Sequence, residues 1–226
     1  MTRQTTRQDC HHRVCVRQGR VVVFVDAPSS WACSVGVGAV FGQTITVLNN
    51  MVEDGIIRRY AIGGAVAAMN YLEPALTEDV DVLISFDNPS PSGLVTLGPI
   101  VAWLESKGYS EWQKEGLIVE GWPVRFLPVA DSLDLEAIEQ AVMVEDPFGT
   151  EAPISTWMLS AEHVVATALK TGRPKDLVRI SAFLDTDAVD LDLLGDILDR
   201  HGLRDKWASF CQKSGRSDPF ANGMPL

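Results

Sequence analysis

The segment Thr77-Glu78-Asp79-Val80-Asp81-Val82-Leu83-Ile84 constrains this chain more than any other. Val80, Val82, Leu83 and Ile84 predict a largely buried strand. Side chains on a strand alternate between faces, so Asp79 and Asp81 project to the same side. Two adjacent carboxylates repel unless a cation or a proton sits between them. A hard divalent ion with oxygen ligands, Mg²⁺ above all, suits that arrangement. Upstream, Tyr60, Ala61 and Ile62 end a short strand, Gly63 and Gly64 make a turn, and Ala65 to Tyr71 predicts a helix. Backbone N–H groups at a helix start attract phosphate, and glycines let it approach closely. Taken singly, an Asp-x-Asp is ordinary surface decoration and a Gly-Gly an ordinary turn. In this order, about fifteen residues apart, they supply the two parts that a metal–phosphate site needs.

The rest of the chain can be arranged around that unit. Residues 1–42 carry Arg3, Arg7, Arg13, Arg17 and Arg20 and show no clear period after a strand-like Val21 to Val25; a poorly ordered leader is expected there. Thr44 to Asp54 predicts a helix with Ile45, Leu48, Met51 and Val52 on one face, and Ile56 to Ile62 the first core strand. Asn88 to Gly93 is a loop, and Leu97, Ile100, Val101 and Leu104 space a helix that stops at Gly108. Leu117 to Val119 and Val124 to Val129 predict a hairpin, followed by a short helix over Asp134 to Val142. Pro147, Gly149 and Pro153 mark a boundary near residue 150. Beyond it the pattern is helical: Ser160 caps Ala161 to Thr171, Lys175 to Leu184 follows, and two further helices end near Ser214. Residues 214–226 read as a loose tail. The expected fold is α/β: a small mixed sheet over residues 43–150, then a helical subdomain over 151–213.

Composition narrows the function classes. A net charge of −11 argues against extensive contact with a phosphate backbone and suits an acidic metal site or a cationic small substrate. Cys10, Cys15, Cys33 and Cys211 have no disulfide-framework spacing, which predicts a reducing, cytoplasmic setting. Cys10 to Cys15 has no second ligand pair downstream to make a zinc site. No apolar run is long enough to span a membrane. His163 has no partner in view and reads as structural. The scattered tryptophans make no base-stacking platform.

The Gly63-Gly64 turn followed by Asp79-Val80-Asp81 resembles the nucleotidyltransferase superfamily of DNA polymerase beta. Within it, Tyr60 to Ala68, Glu73-Pro74, Thr77 to Asp81, Gly121 to Pro128 and Leu169-Lys170-Thr171-Gly172-Arg173-Pro174-Lys175-Asp176 are similar to the bacterial AbiEii-like nucleotidyltransferases. The resemblance covers about residues 44–185, and the Gly-Gly and Asp-x-Asp portion is its specific part. It implies a nucleotidyltransferase fold, a nucleoside triphosphate substrate, two Mg²⁺ ions and transfer of a nucleotidyl group. Asp79 and Asp81 would be the metal ligands, and Gly63 and Gly64 would face the triphosphate. Lys170 or Lys175 would neutralise phosphate charge, Arg173 would join them, and Asp176 would orient one of the lysines. From the residues alone, these four could equally be solvated charges at a helix–helix corner. The acceptor is left open among RNA, protein and a small molecule. Because AbiEii-like proteins include toxins of toxin–antitoxin and phage-defence systems, an antitoxin is an implied partner.

One departure stands out. The superfamily usually carries a third carboxylate on a neighbouring strand, often as general base. In Val124-Arg125-Phe126-Leu127 that place falls to Arg125, which cannot act as a base. Glu120 is a candidate substitute. The second expectation is therefore a degenerate, catalytically weak module of the same fold that binds nucleotide or a protein partner.

Overall fold

The structure, a computed structural model, describes residues 13–17, 20–24, 37–75, 77–87, 96–145 and 154–221, with side chains from residue 41 onward. Two short strands, β1 (Arg13–Arg17) and β2 (Arg20–Phe24), pair antiparallel as a separate ribbon. The other residues of the expected leader before Val37 lie outside the described residues, and its last six belong to a helix. Helix α1 (Val37–Glu53) begins seven residues before the expected Thr44, and it buries Phe41 edge-to-face against Trp122 at 5.2 Å. Its buried face is Phe41, Ile45, Leu48 and Met51, a helical spacing.

A seven-stranded mixed sheet carries the site. Its strands are β3 (Arg59–Ile62), β4 (Val80–Ser85), β5 (Trp112–Gln113), β6 (Gly116–Val119), β7 (Trp122–Pro128), β8 (Val142–Glu145) and β9 (Ser155–Met158). They lie in the order β5-β6-β7-β4-β3-β9-β8. β4 is central and buries Val80, Val82, Leu83 and Ile84. It runs antiparallel to β3 and parallel to β7. The β6–β7 hairpin forms where the sequence predicts one.

Two strands depart from the expectation. The helix α4 (Ser132–Glu139) ends three residues early, and Val142–Glu145 extends as β8. After residue 154 the chain returns to the sheet as β9, parallel to β3, before it turns helical. The stretch Ser155-Thr156-Trp157-Met158 is too short for periodicity to mark it; its partners are long-range. Tyr60 on β3 fixes this junction: its buried hydroxyl bonds Asn49 of α1 at 2.7 Å and Thr156 of β9 at 2.9 Å, and burial pushes its pKa up to about 12.

The helical part follows: α5 (Ala161–Thr171), α6 (Pro174–Asp185), α7 (Leu191–Arg200) and α8 (Arg204–Ser214). Ser160 caps α5 as expected, its hydroxyl accepting from the His163 amide, and Gly172 ends that helix left-handed. Two shorter helices, α2 (Gly64–Ala68) and α3 (Gly98–Ser106), complete the fold. Residues 215–221 are not loose: Trp207 donates to Asp218 at 3.1 Å, and Phe220 packs 5.5 Å from the Trp207 ring. No helix among the described residues is long and apolar enough to cross a membrane.

Glu136 of α4 ties three helices together. Its carboxylate accepts from Arg200 Nη2 at 2.6 Å, bonds His201 Nε2 at 2.7 Å, and lies 3.5 Å from buried His163 Nε2. Arg200 chiefly, with His201, holds the Glu136 pKa down to about 2. A depressed acid pKa stabilises the fold at pH above the ordinary value of 4.5, and that gain is lost as pH falls towards 2. Glu136→Gln is therefore expected to cost about 1–3 kcal/mol at pH 7. In denaturant melts the gap to wild type should close between about pH 4.5 and 2. A gap independent of pH would place its origin outside this ion network.

Candidate functional site

β4 and the turn before α2 are locked together. The Gly63 amide donates to the Asp81 carbonyl at 2.8 Å, and Gly64 takes φ +60° against the Asp81 side chain. A Cβ at Gly64 would overlap Asp81 Oδ2 and sit 3.1 Å from both Cβ and Cγ of Asp81. The two glycines therefore serve close approach of this carboxylate. That corrects part of the expectation: the Gly63 amide is spent on the sheet, and α2 spans only Gly64–Ala68, one turn rather than Ala65 to Tyr71. So short a helix has little dipole to offer phosphate.

Asp79 and Asp81 do reach the same point, but an arginine already holds it. β4 and β7 run parallel with Asp81 opposite Arg125. Arg125 Nη1 lies 3.3 Å from Asp79 Oδ2 and 3.1 Å from Asp81 Oδ1, and Nη2 lies 3.1 Å from Glu115 Oε2. Asp81 Oδ1 is nonetheless a buried atom without a hydrogen bond, so charge alone connects it to Arg125. Burial raises the Asp81 pKa and Asp79 adds to that, against the opposing charges of Arg125, Arg173 and Lys175. Glu120, the candidate substitute for the third carboxylate, accepts a hydrogen bond from Tyr109 at the β6–β7 turn and does not line the cleft.

Two cavities meet at Asp81. The larger, about 940 Å³, is lined on one wall by Asp79, Asp81, Glu115 and Arg125 and on the other by Lys175 and Arg179. The smaller, about 290 Å³, includes Gly63, Gly64, Asp81, Lys170, Arg173, Asp176 and Arg179. Thus the two cavities bring together Gly63, Gly64, Asp79, Asp81, Lys170, Arg173, Lys175 and Asp176, while Glu120 stands apart from them. Lys170 Nζ is held 2.7 Å from both Asp131 and Asp134. Burial pulls its pKa down, but these carboxylates outweigh that and raise it. Asp176 is fully buried and orients arginines rather than a lysine: it accepts from Arg173 Nε at 2.7 Å and Arg179 Nη1 at 3.2 Å. Lys175 is exposed, and its charge reaches Asp81. Arg179 was missed from the sequence, although its place three residues after Asp176 on one helix is a readable signal.

Asp79 and Asp81 fit one hard divalent ion, because Asp81 Oδ1 is buried and unbonded. They do not fit two, because the Arg125 guanidinium lies within 3.3 Å of both carboxylates. Among the described residues no three carboxylate, histidine or cysteine groups come together as a metal site. No protein-family model matches the chain, and no curated protein matches it.

Proposed function

We propose that this chain is a nucleotidyltransferase of the polymerase-beta type, acting on a nucleoside triphosphate with Mg²⁺. The observation that carries the reading is the packing of the Asp81 carboxylate onto Gly64, beside a wall of Arg173, Lys175 and Arg179. Asp79 and Asp81 would hold the ion, which when bound offsets negative charge on phosphate oxygens. Arg173 and Arg179, steadied by Asp176, would grip the phosphates with planar, permanently charged forks. Lys175 adds a mobile charge at the rim. The acceptor would occupy the larger cavity and attack the α-phosphorus as pyrophosphate leaves. Its proton passes to water, since the position of the usual base is an arginine.

The Arg125 bridge favours a second reading, nucleotide binding without turnover. Incubation of the protein with labelled nucleoside triphosphates, Mg²⁺ and total RNA separates the two. Label on RNA, or on a small cationic acceptor, is the expected result. Binding without transfer to any acceptor would favour the second reading, and absence of binding would remove both. In calorimetric titrations Arg173→Ala and Lys175→Ala should each weaken nucleotide binding by about 1–3 kcal/mol, the scale of a lost charge-assisted bond. Lys170→Ala should chiefly lower stability, because its carboxylate partners Asp131 and Asp134 are then left facing each other.

A further inference from the structure

The position between Asp79 and Asp81 already has a cation, and the chain supplies it. Sheet register fixes this: Asp81 pairs with Arg125, and in the flanking pairs Val80, Val124 and Val82 are buried and Phe126 half-buried, which forbids a slip. We infer that Arg125 is a resident counterion that competes with a divalent cation for the carboxylate pair and yields it when a polyphosphate enters. This rests on the nucleotide reading only for the identity of the polyphosphate.

Three observations support competition rather than a permanent bridge. First, Arg125 reaches Asp81 by charge alone and gives the pair one hydrogen bond, a long one of 3.3 Å to Asp79, so the latch is weak. Second, the outer anchor of Arg125 is Glu115, four-fifths exposed, on a turn where Lys114 takes φ +55°. On that outer side a solvated carboxylate holds the guanidinium loosely. Third, Arg125 lines the same cavity as Lys175 and Arg179, where a polyphosphate would be drawn by their charges. Phosphate oxygens offer Arg125 a bidentate partner with more charge than Glu115. As the guanidinium turns towards them, the carboxylates are left with unopposed repulsion, which a divalent ion relieves. Metal and nucleotide would then enter together, and free metal alone would bind poorly.

Manganese(II), followed by electron paramagnetic resonance with no nucleotide present, tests the competition. Wild type should bind it weakly. Arg125→Gln should bind about tenfold or more tightly, the effect of removing one neighbouring positive charge. Arg125→Lys should stay near wild type, and adding Asp81→Asn to Arg125→Gln should abolish the gain. If Arg125→Gln fails to melt cooperatively, Arg125→Met, which keeps an apolar stem on the sheet, carries the comparison. Neutral variants that bind Mn²⁺ no better than wild type overturn the inference. In EDTA, a nucleoside triphosphate should bind the neutral variant more weakly than wild type; equal binding would overturn the release step. Because the metal titration uses no nucleotide, its failure leaves the nucleotide reading standing, and a chain that binds no nucleotide can still pass it.

Discussion

Gly64→Ala is expected to be the most damaging single methyl group in the protein. A left-handed alanine costs about 1–2 kcal/mol in backbone energy alone. The new Cβ would also overlap the Asp81 carboxylate, and Asp81 cannot simply rotate away because its own Cβ and Cγ are 3.1 Å from the added atom. Overpacking of this kind costs typically about 1–3 kcal/mol more. The sum, about 2–5 kcal/mol, should lower the melting temperature by about 4–20 °C in a domain of this size. Nucleotide binding should fall further than stability explains, because relief of the clash moves Asp81 off its partners. The control is Gly55→Ala, also at positive φ but with nothing near the added methyl, which should show the backbone cost alone. Equal losses at both sites would mean that Gly64 serves the turn and not the carboxylate.

Asp81→Asn should separate stability from binding. Burial and Asp79 raise the Asp81 pKa, so the ionised group is a burden on the fold. For an acid whose pKa is raised on folding, that burden is absent below the ordinary value of 3.8 and grows as pH climbs through the folded value. At pH 7 the near-isosteric asparagine should therefore hold stability or raise it slightly, and the advantage should vanish in acid. Binding should move the other way. A Mg²⁺–nucleotide complex at about a hundred times its dissociation constant stabilises a folded protein by about 2.7 kcal/mol. Wild type should gain that much in a denaturant melt, and Asp81→Asn should gain little. Loss of about 1–3 kcal/mol with or without ligand would instead make Asp81 a structural hydrogen-bond acceptor. Equal ligand gains in both proteins would take Asp81 out of the metal site.

What was legible in the sequence was local. The apolar run of β4, the glycine turn, the Ser160 cap and the amphipathic α7 with buried Leu194, Ile197 and Leu198 each declare themselves within about ten residues. What was not legible depends on distant partners. β9 exists because Ile62, far upstream, offers Met158 a parallel neighbour. α1 extends back to Val37 through a glycine-rich run because Phe41 finds Trp122 to pack on. At the site, the residue types were visible and their pairings were not. Lys170 looked like a phosphate ligand until Asp131 and Asp134, over thirty positions away, enclosed it. Arg125 is visible in the sequence as a cation on a strand, but its bridge to both aspartates depends on the strand register.

Asp176 sets how an anion would be captured in the cleft. Arg173 and Arg179 would each freeze several rotatable bonds on capturing an anion if they waved freely in solvent, and arginine carries about 2 kcal/mol of such freedom. Here one fully buried carboxylate has immobilised both beforehand, at folding. The basic wall is thus a stiff template and not a pair of searching arms. Anion capture on it should show a small entropic penalty and a rate set by diffusion rather than by side-chain rearrangement.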